Sequence, residues 1–291
     1  MPRGVMPRRP AKTGRHEGAN FEVRTSKSLA KAAKSGSLKS KPANSRQLVI
    51  RQSTSSKASN RGGVPRENPT SHERVSEILK QLDQLYPDVT CALTHKDPWE
   101  LLVATILSAQ STDVRVNMVT PDLFKKYPTV QDFAKLEPQQ LEPDIRSTGF
   151  FRNKSKSVVG AARRVVAEYG GKVPDNMDDL LTLPGVARKT ANVVLGTWFG
   201  KADGVVVDTH VHRISRRLEL TQNDDPKKIE LDLMRVIPNT KWILFSHQVI
   251  WHGRKLCFAR SPKCADCLLE NICHAEDKTW STVEKHKGAK A

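Results

Sequence analysis

The sequence predicts an all-α protein. Two observations carry that expectation. Apolar residues recur at helical spacing in segment after segment, with short connections between them. Period-two alternation is almost absent, and the one β-like run is Val205–Val207.

The elements follow in order. Ser71–Tyr86 places Val75, Ile78, Leu79, Leu82 and Leu85 on one helical face. Trp99–Gln110 is apolar almost all round, which predicts a helix buried at the centre of a domain, and Pro98 suits its first turn. Ser155–Tyr169 carries a stripe of Val158, Val159, Ala162, Val165, Val166 and Tyr169, stopped by Gly170-Gly171. Helices are also expected at Asn176–Leu183, Arg188–Phe199, Thr209–Leu218, Pro226–Val236 and Trp242–Leu256.

Charge is unevenly placed. The 291-residue chain has a formal net charge of +17. Residues 1–70 hold 16 Lys+Arg against Glu17, Glu22 and Glu67, a net of +13. That segment also has ten Ser and a single aromatic, Phe21. It is expected to form a basic disordered extension, because it has too little apolar surface to offset the entropy of ordering. Its uses range from a DNA-holding arm through an organelle transit peptide to an inert tail. No stretch approaches the ~18 consecutive apolar residues of a membrane span. Five cysteines, four of them in one window, are not a secreted disulfide scaffold, so a reducing compartment is expected.

Those four are Cys257, Cys264, Cys267 and Cys273, spaced C-x6-C-x2-C-x5-C within 17 residues. Four thiols in so short a loop read as a closed metal site. Zinc sites usually pair two short knuckles across a longer loop. Only one C-x2-C exists here, so one compact loop around a [4Fe–4S] cluster fits better than zinc. Arg254, Lys255, Arg260 and Lys263 are expected around it, to offset its negative charge or to meet phosphates. Cys91 lies far away and reads as a core residue.

Leu181–Leu195 (LTLPGVARKTANVVL) reads as a helix end, a Pro184-Gly185 turn and a new helix. The free N–H groups and positive dipole end of that second helix suit a DNA phosphate.

With VDTHVHR (Val207–Arg213), LSAQSTDVRVN (Leu107–Asn117), HGRKLC (His252–Cys257) and the cysteine loop, the chain resembles the endonuclease III family of helix–hairpin–helix DNA glycosylases. The resemblance covers about Ser71–His274. It implies a six-helix domain at residues 91–203 that carries the hairpin. A cluster domain is implied from residues 71–90 with 204–274, a DNA cleft between the two, and a tail at 275–291. It implies a bifunctional enzyme that removes oxidised pyrimidines from double-stranded DNA and cuts 3′ to the abasic site. The implied protein is a monomer without membrane contact. It would reside in a bacterial cytoplasm, or in the nucleus or mitochondrion of a eukaryote.

Residue by residue, the resemblance assigns the nucleophile to Lys189 and the essential carboxylate to Asp208. An amine attacks carbon only when unprotonated. A helix first turn and desolvation under DNA favour the neutral amine, whereas a neighbouring carboxylate opposes it. Taken alone, Asp208 reads as a cap for the helix that starts at Thr209.

DNA contacts are expected from Gln110, which would fill the gap left by a flipped nucleotide, and from Phe150, where the family inserts an apolar wedge. Core packing is the other reading of Phe150. Lys154, Lys156, Gly185, Ala187 and Arg188 are expected near phosphates. Ala187 departs from the family, which often has a second glycine there. If that position needs φ > 0, alanine costs about 1 kcal/mol or more; if it is helical, alanine is preferred.

Two rival readings have discriminators. Adenine-mismatch glycosylases lack a lysine at position 189 and carry an extra C-terminal domain. A non-catalytic DNA binder would hold damaged duplex without cutting it.

Overall fold

The computed structural model describes residues 68–279. The expected basic extension therefore lies outside the described residues, apart from its last three positions. All described residues belong to one compact unit, and that unit holds two hydrophobic cores. No strand occurs among them, and Val205–Val207 is an extended segment whose Val206 N–H donates to Ser246 Oγ at 3.0 Å. Among the described residues no helix is long and apolar enough to cross a membrane.

The first core is built around α2, Pro98–Leu107. Leu101, Leu102, Val103, Ala104 and Leu107 are fully buried, as an all-round apolar helix must be. Asp97 caps it by accepting from Glu100 N at 2.8 Å, and Pro98 occupies the first turn, where no N–H is needed. Around it lie α3 (Asp113–Lys126), α4 (Val130–Lys135), α5 (Pro138–Ile145), α6 (Phe151–Glu168), α7 (Met177–Thr182) and α8 (Arg188–Thr197).

The sequence reading missed α3, α4 and α5. Each hides its signal differently. In α3, Pro121 sits inside the helix and Thr120 replaces an apolar residue on the buried stripe with Val116 and Leu123. In α4 a Thr129–Asp132 capping box stabilises only six residues. In α5 Pro138 opens the helix and Pro143 lies inside it, between the only buried residues, Leu141 and Ile145. Conversely, α2 ends three residues before Gln110, because the backbone turns at Gln110 with φ 53°. Helix α6 starts at Phe151, four residues before the expected start at Ser155, behind a turn at Gly149-Phe150. Its far end matches expectation: Gly170 and Gly171 take φ 59° and 80°, and Gly171 N–H donates back to Val165 O.

The second core joins α1 (His72–Leu85) to α9 (Thr209–Arg217), α10 (Pro226–Val236), α11 (Trp242–Lys255) and the 3-10 turn Leu268–Ile272. Arg74 is buried and donates to Leu218 O at 2.8 Å and Ile272 O at 2.7 Å, which ties α1 to the end of α9 and to the cysteine loop.

Two ion pairs cross between the cores. Arg188, at the start of α8, sets its Nε 3.0 and 2.9 Å from the two carboxylate oxygens of Glu230 on α10. Glu230 is buried, and Asn192 Nδ2 donates to it at 2.9 Å. Gly204 makes room, since a Cβ there would collide with that carboxylate. On α11, Arg254 lies 2.6 Å from Asp113 of α3. Breaking a buried pair leaves one charge uncompensated. Glu230→Gln is therefore expected to destabilise the protein by about 1–3 kcal/mol, which urea unfolding would measure. An unchanged midpoint would show that the pair is solvent-relaxed.

Candidate active site and cysteine loop

The hairpin needs Gly185 on two grounds. Its φ is 78°, and an added Cβ would lie 2.5 Å from Ser157 Cβ on α6. Ala187 needs no glycine. Its φ of −100° and ψ of 169° are extended backbone, neither left-handed nor helical, so both alternatives raised for it fall away. It is the N-cap of α8 and supplies no side-chain acceptor, whereas Asn176 and Asp208 cap α7 and α9. The first N–H groups of α8 are thus left for an external anion.

Lys189 follows in the first turn of α8. It is exposed, and its ammonium has no hydrogen-bond or ion-pair partner among the described residues. Asp208 holds the N-terminus of α9: its Oδ1 accepts from His210 N and Val211 N, both at 2.8 Å. Its other oxygen, Oδ2, has no hydrogen-bond partner among the described residues. The cap reading of Asp208 and its candidate catalytic role are therefore compatible, one oxygen for each.

Lys189 and Asp208 line the same pocket, of about 180 Å³, between the two cores. Val193, Val206 and Ile250 supply apolar wall, and Ser108, Asp113, His247 and Arg254 supply polar groups. Burial pushes the His247 imidazole below its ordinary pKa, so it is neutral near pH 7. Cys91 packs against the first core and also lines this pocket. Burial raises its thiol, which keeps it protonated. Sequence reasoning missed Asp113 and Glu230, and it expected Arg254 at the cysteine cluster instead. Their signal was weak, because a charged residue on a helix usually faces solvent.

Gln110 and Phe150 share an unusual feature. Both are non-glycine residues with left-handed backbone, at φ 53° and 47°. Both are exposed, Phe150 to 62%. Such a backbone costs on the order of 1 kcal/mol and persists where the surroundings impose it. The core-packing reading of Phe150 is thereby excluded.

Two expected phosphate contacts are corrected. Lys154 is buried, and its Nζ donates to Leu107 O at 2.7 Å and Thr148 O at 2.8 Å, which turns it away from any phosphate. Arg188 gives its guanidinium to Glu230 and to Asp203 O, so it braces the cores instead of facing DNA. Lys156 is exposed.

At the C-terminal end, Cys257, Cys264, Cys267 and Cys273 are all free thiols and line one cavity. No group of three or more ligand-type side chains among the described residues is arranged to hold a single metal ion. Burial pushes the Cys257 and Cys273 thiols up, and Cys267 up to about 12. Arg217 offsets this at one sulfur, with Nη1 donating to Cys257 Sγ at 3.1 Å. His252 Nε2 stands 3.5 Å from Cys267 Sγ. The cation against the thiols is thus Arg217 of α9, not Arg254 or Lys255. Arg254 serves Asp113, and Lys255 lies over the Trp251 ring. Lys263 does line the cavity.

Comparison with known proteins fits this geometry. Residues 103–239 match the HhH-GPD superfamily base excision DNA repair protein family. Endonuclease III of Synechocystis is 54% identical over 208 residues, which cover 72% of this chain and 95% of the relative. Endonuclease III of Bacillus subtilis is 41% identical over 207 residues, 71% of this chain and 94% of the relative. Among solved structures, a trapped endonuclease III–DNA covalent intermediate aligns with a TM-score of 0.67 at 41% identity. It covers 70% of this chain and 96% of its own. A non-covalent endonuclease III–DNA complex aligns with the same TM-score at 39% identity, covering 76% and 99%. At these identities, over nearly the whole length of each relative, the chain belongs to the endonuclease III family.

Proposed function

We propose that Lys189 and Asp208 carry the chemistry of this DNA glycosylase and abasic-site lyase, acting on oxidised pyrimidines in duplex DNA. The observation that carries the proposal is the pairing of an unpartnered Lys189 amine with an unpaired Asp208 oxygen at one pocket between the cores. The damaged nucleotide is extruded from the duplex into that pocket. The Lys189 Nζ lone pair attacks C1′. The C1′–N bond to the base breaks, and the base leaves with its electron pair and takes up a proton. Positive charge grows on the sugar during this step, and in this reading Asp208 Oδ2 stabilises it. Opening of the sugar ring gives an imine between C1′ and Nζ. Loss of a 2′ proton then expels the 3′ phosphate, and the strand is cut by β-elimination.

The uncapped start of α8, reached through the Gly185 turn, is the proposed phosphate seat. Phe150 and Gln110 are the proposed inserting side chains, because a strained and exposed apolar ring suits a wedge between base steps. The residues around each core are proposed as domains, 91–203 and 71–90 with 204–274, with duplex DNA bound along the cleft between them.

The four cysteines are proposed to hold a [4Fe–4S] cluster. An all-sulfur donor set on one cavity fits it, and so does an arginine N–H directed at one sulfur. When bound, such a cluster cross-links the closing loop and is capable of electron transfer. This chain's own residues supply the rest: Arg217 and Asp277 fix the loop to α9, through contacts of 3.1 and 3.0 Å.

Borohydride trapping on duplex DNA with an oxidised pyrimidine tests the proposal. The wild type is expected to give a covalent adduct and Lys189→Ala none, with duplex binding retained. An adduct in Lys189→Ala would remove Lys189 from the nucleophile role. Asp208→Asn keeps an acceptor for the α9 cap but loses the charge. It is expected to fold normally and to lose roughly 100-fold or more in single-turnover excision. Gly185→Ala is expected to destabilise the protein by about 1–3 kcal/mol and to weaken DNA binding. Ser157→Gly in the same chain should recover part of the stability by removing the opposing Cβ, read from thermal melting.

A further inference from the structure

We propose that Lys154 is a positioning residue that locks the Gln110 turn to the Phe150 turn, so that both side chains enter the duplex as one rigid unit. This rests on the reading of Gln110 and Phe150 as inserting side chains. Lys154 stands in the first turn of α6 and is 4% exposed. Its ammonium donates to Leu107 O at 2.7 Å and to Thr148 O at 2.8 Å. Leu107 is the last residue of α2, three before Gln110. Thr148 is two before Phe150 and is itself 2% exposed, with its hydroxyl held by Ile145 O at 2.8 Å. One charged group thus joins the stems of both left-handed turns.

The energetics favour a role beyond filling space. No carboxylate pairs with Lys154 among the described residues. Burial disfavours the charged amine and lowers its pKa. An apolar side chain of similar length would fill the volume without that penalty. What the ammonium adds is direction. Both acceptor carbonyls lie at C-terminal ends, of α2 and of the 3-10 turn Arg146–Thr148, where a cation is favoured. Each turn carries a non-glycine residue in the left-handed region, which costs on the order of 1 kcal/mol. Tying them to one point fixes their spacing before DNA arrives, which reduces the ordering cost of insertion. Extrusion of a base leaves a gap for one side chain and an unstacked step for the other, so their spacing matters.

The test compares paired and unpaired lesions. Lys154→Met is expected to slow single-turnover excision of an oxidised pyrimidine in paired duplex by about tenfold. The same lesion in an unpaired bulge, where extrusion costs little, should slow by less than about threefold. A 2-aminopurine base beside the lesion should report slower unstacking in the same variant. Lys154→Arg, which keeps a charged donor, should recover most of the paired-duplex rate. Gln110→Ala and Phe150→Ala are expected to be non-additive in the wild type and additive in the Lys154→Met background.

Equal slowing on both substrates, with a lower melting temperature, would make Lys154 a structural brace only and overturn the proposal. So would an unchanged paired-duplex rate. If Gln110→Ala and Phe150→Ala themselves leave that rate unchanged, the insertion reading fails and the brace falls with it. Should Lys154→Met fail to fold, Lys154→Gln gives the same comparison, because its amide can reach one of the two carbonyls.

Discussion

A carboxylate buried between helices must be paired, and Glu230 finds both of its partners on α8. Arg188 and Asn192 reach it from one face of that helix, one turn apart. The residue between Arg188 and the rest of the turn is Lys189. The same contact that satisfies Glu230 therefore sets the height and rotation of the helix that presents the reactive amine. Asp208 comes from the other core, at the start of α9. The two candidate catalytic groups share a pocket only because the cores are held in register, by Glu230 with Arg188 on one side and by Asp113 with Arg254 on the other.

Within that frame, identical residue types meet opposite fates. Lys189 and Lys154 both stand in the first turn of a helix. Lys189 is exposed with no partner among the described residues, so its amine is available to a substrate. Lys154 is buried against two carbonyls, so its ammonium is committed to the protein. The arginines divide the same way. Arg217 points at a cysteine sulfur, whereas Arg188 and Arg254 each pair with a carboxylate of the other core. Asp208 has room for two tasks because a carboxylate has two oxygens: Oδ1 caps α9, and Oδ2 has no hydrogen-bond partner among the described residues.

Legibility in the sequence tracked how local each cause was. Helix α10, Pro226–Val236, has the expected bounds because its start is written in Asp225-Pro226 and its stripe is regular. The Gly185 turn was legible for the same reason, although the close approach of Ser157 was not. Helices α3 to α5 were not legible, since their buried faces are narrow and carry proline or threonine. Lys154 and Arg188 were misassigned, because a basic residue near a DNA motif looks the same in sequence whether it faces phosphate or a buried carbonyl.

The sequence by itself determined the helical class, the hairpin, the candidate nucleophile and carboxylate, and the four-cysteine loop. The class, the hairpin and the cysteine loop depend on residue type and spacing along the chain, which local sterics and helix periodicity translate directly. Lys189 and Asp208 were candidates only through the family resemblance of the motifs that hold them. Only the tertiary structure decided which charges face solvent and which face each other. It also decided that Gln110 and Phe150 sit on strained, exposed turns, and that Lys189 and Asp208 open on one pocket. The reason is physical. Burial and pairing depend on what another segment brings to the same point. Here the partners are 42 residues apart for Arg188 and Glu230, and 47 for Lys154 and Leu107.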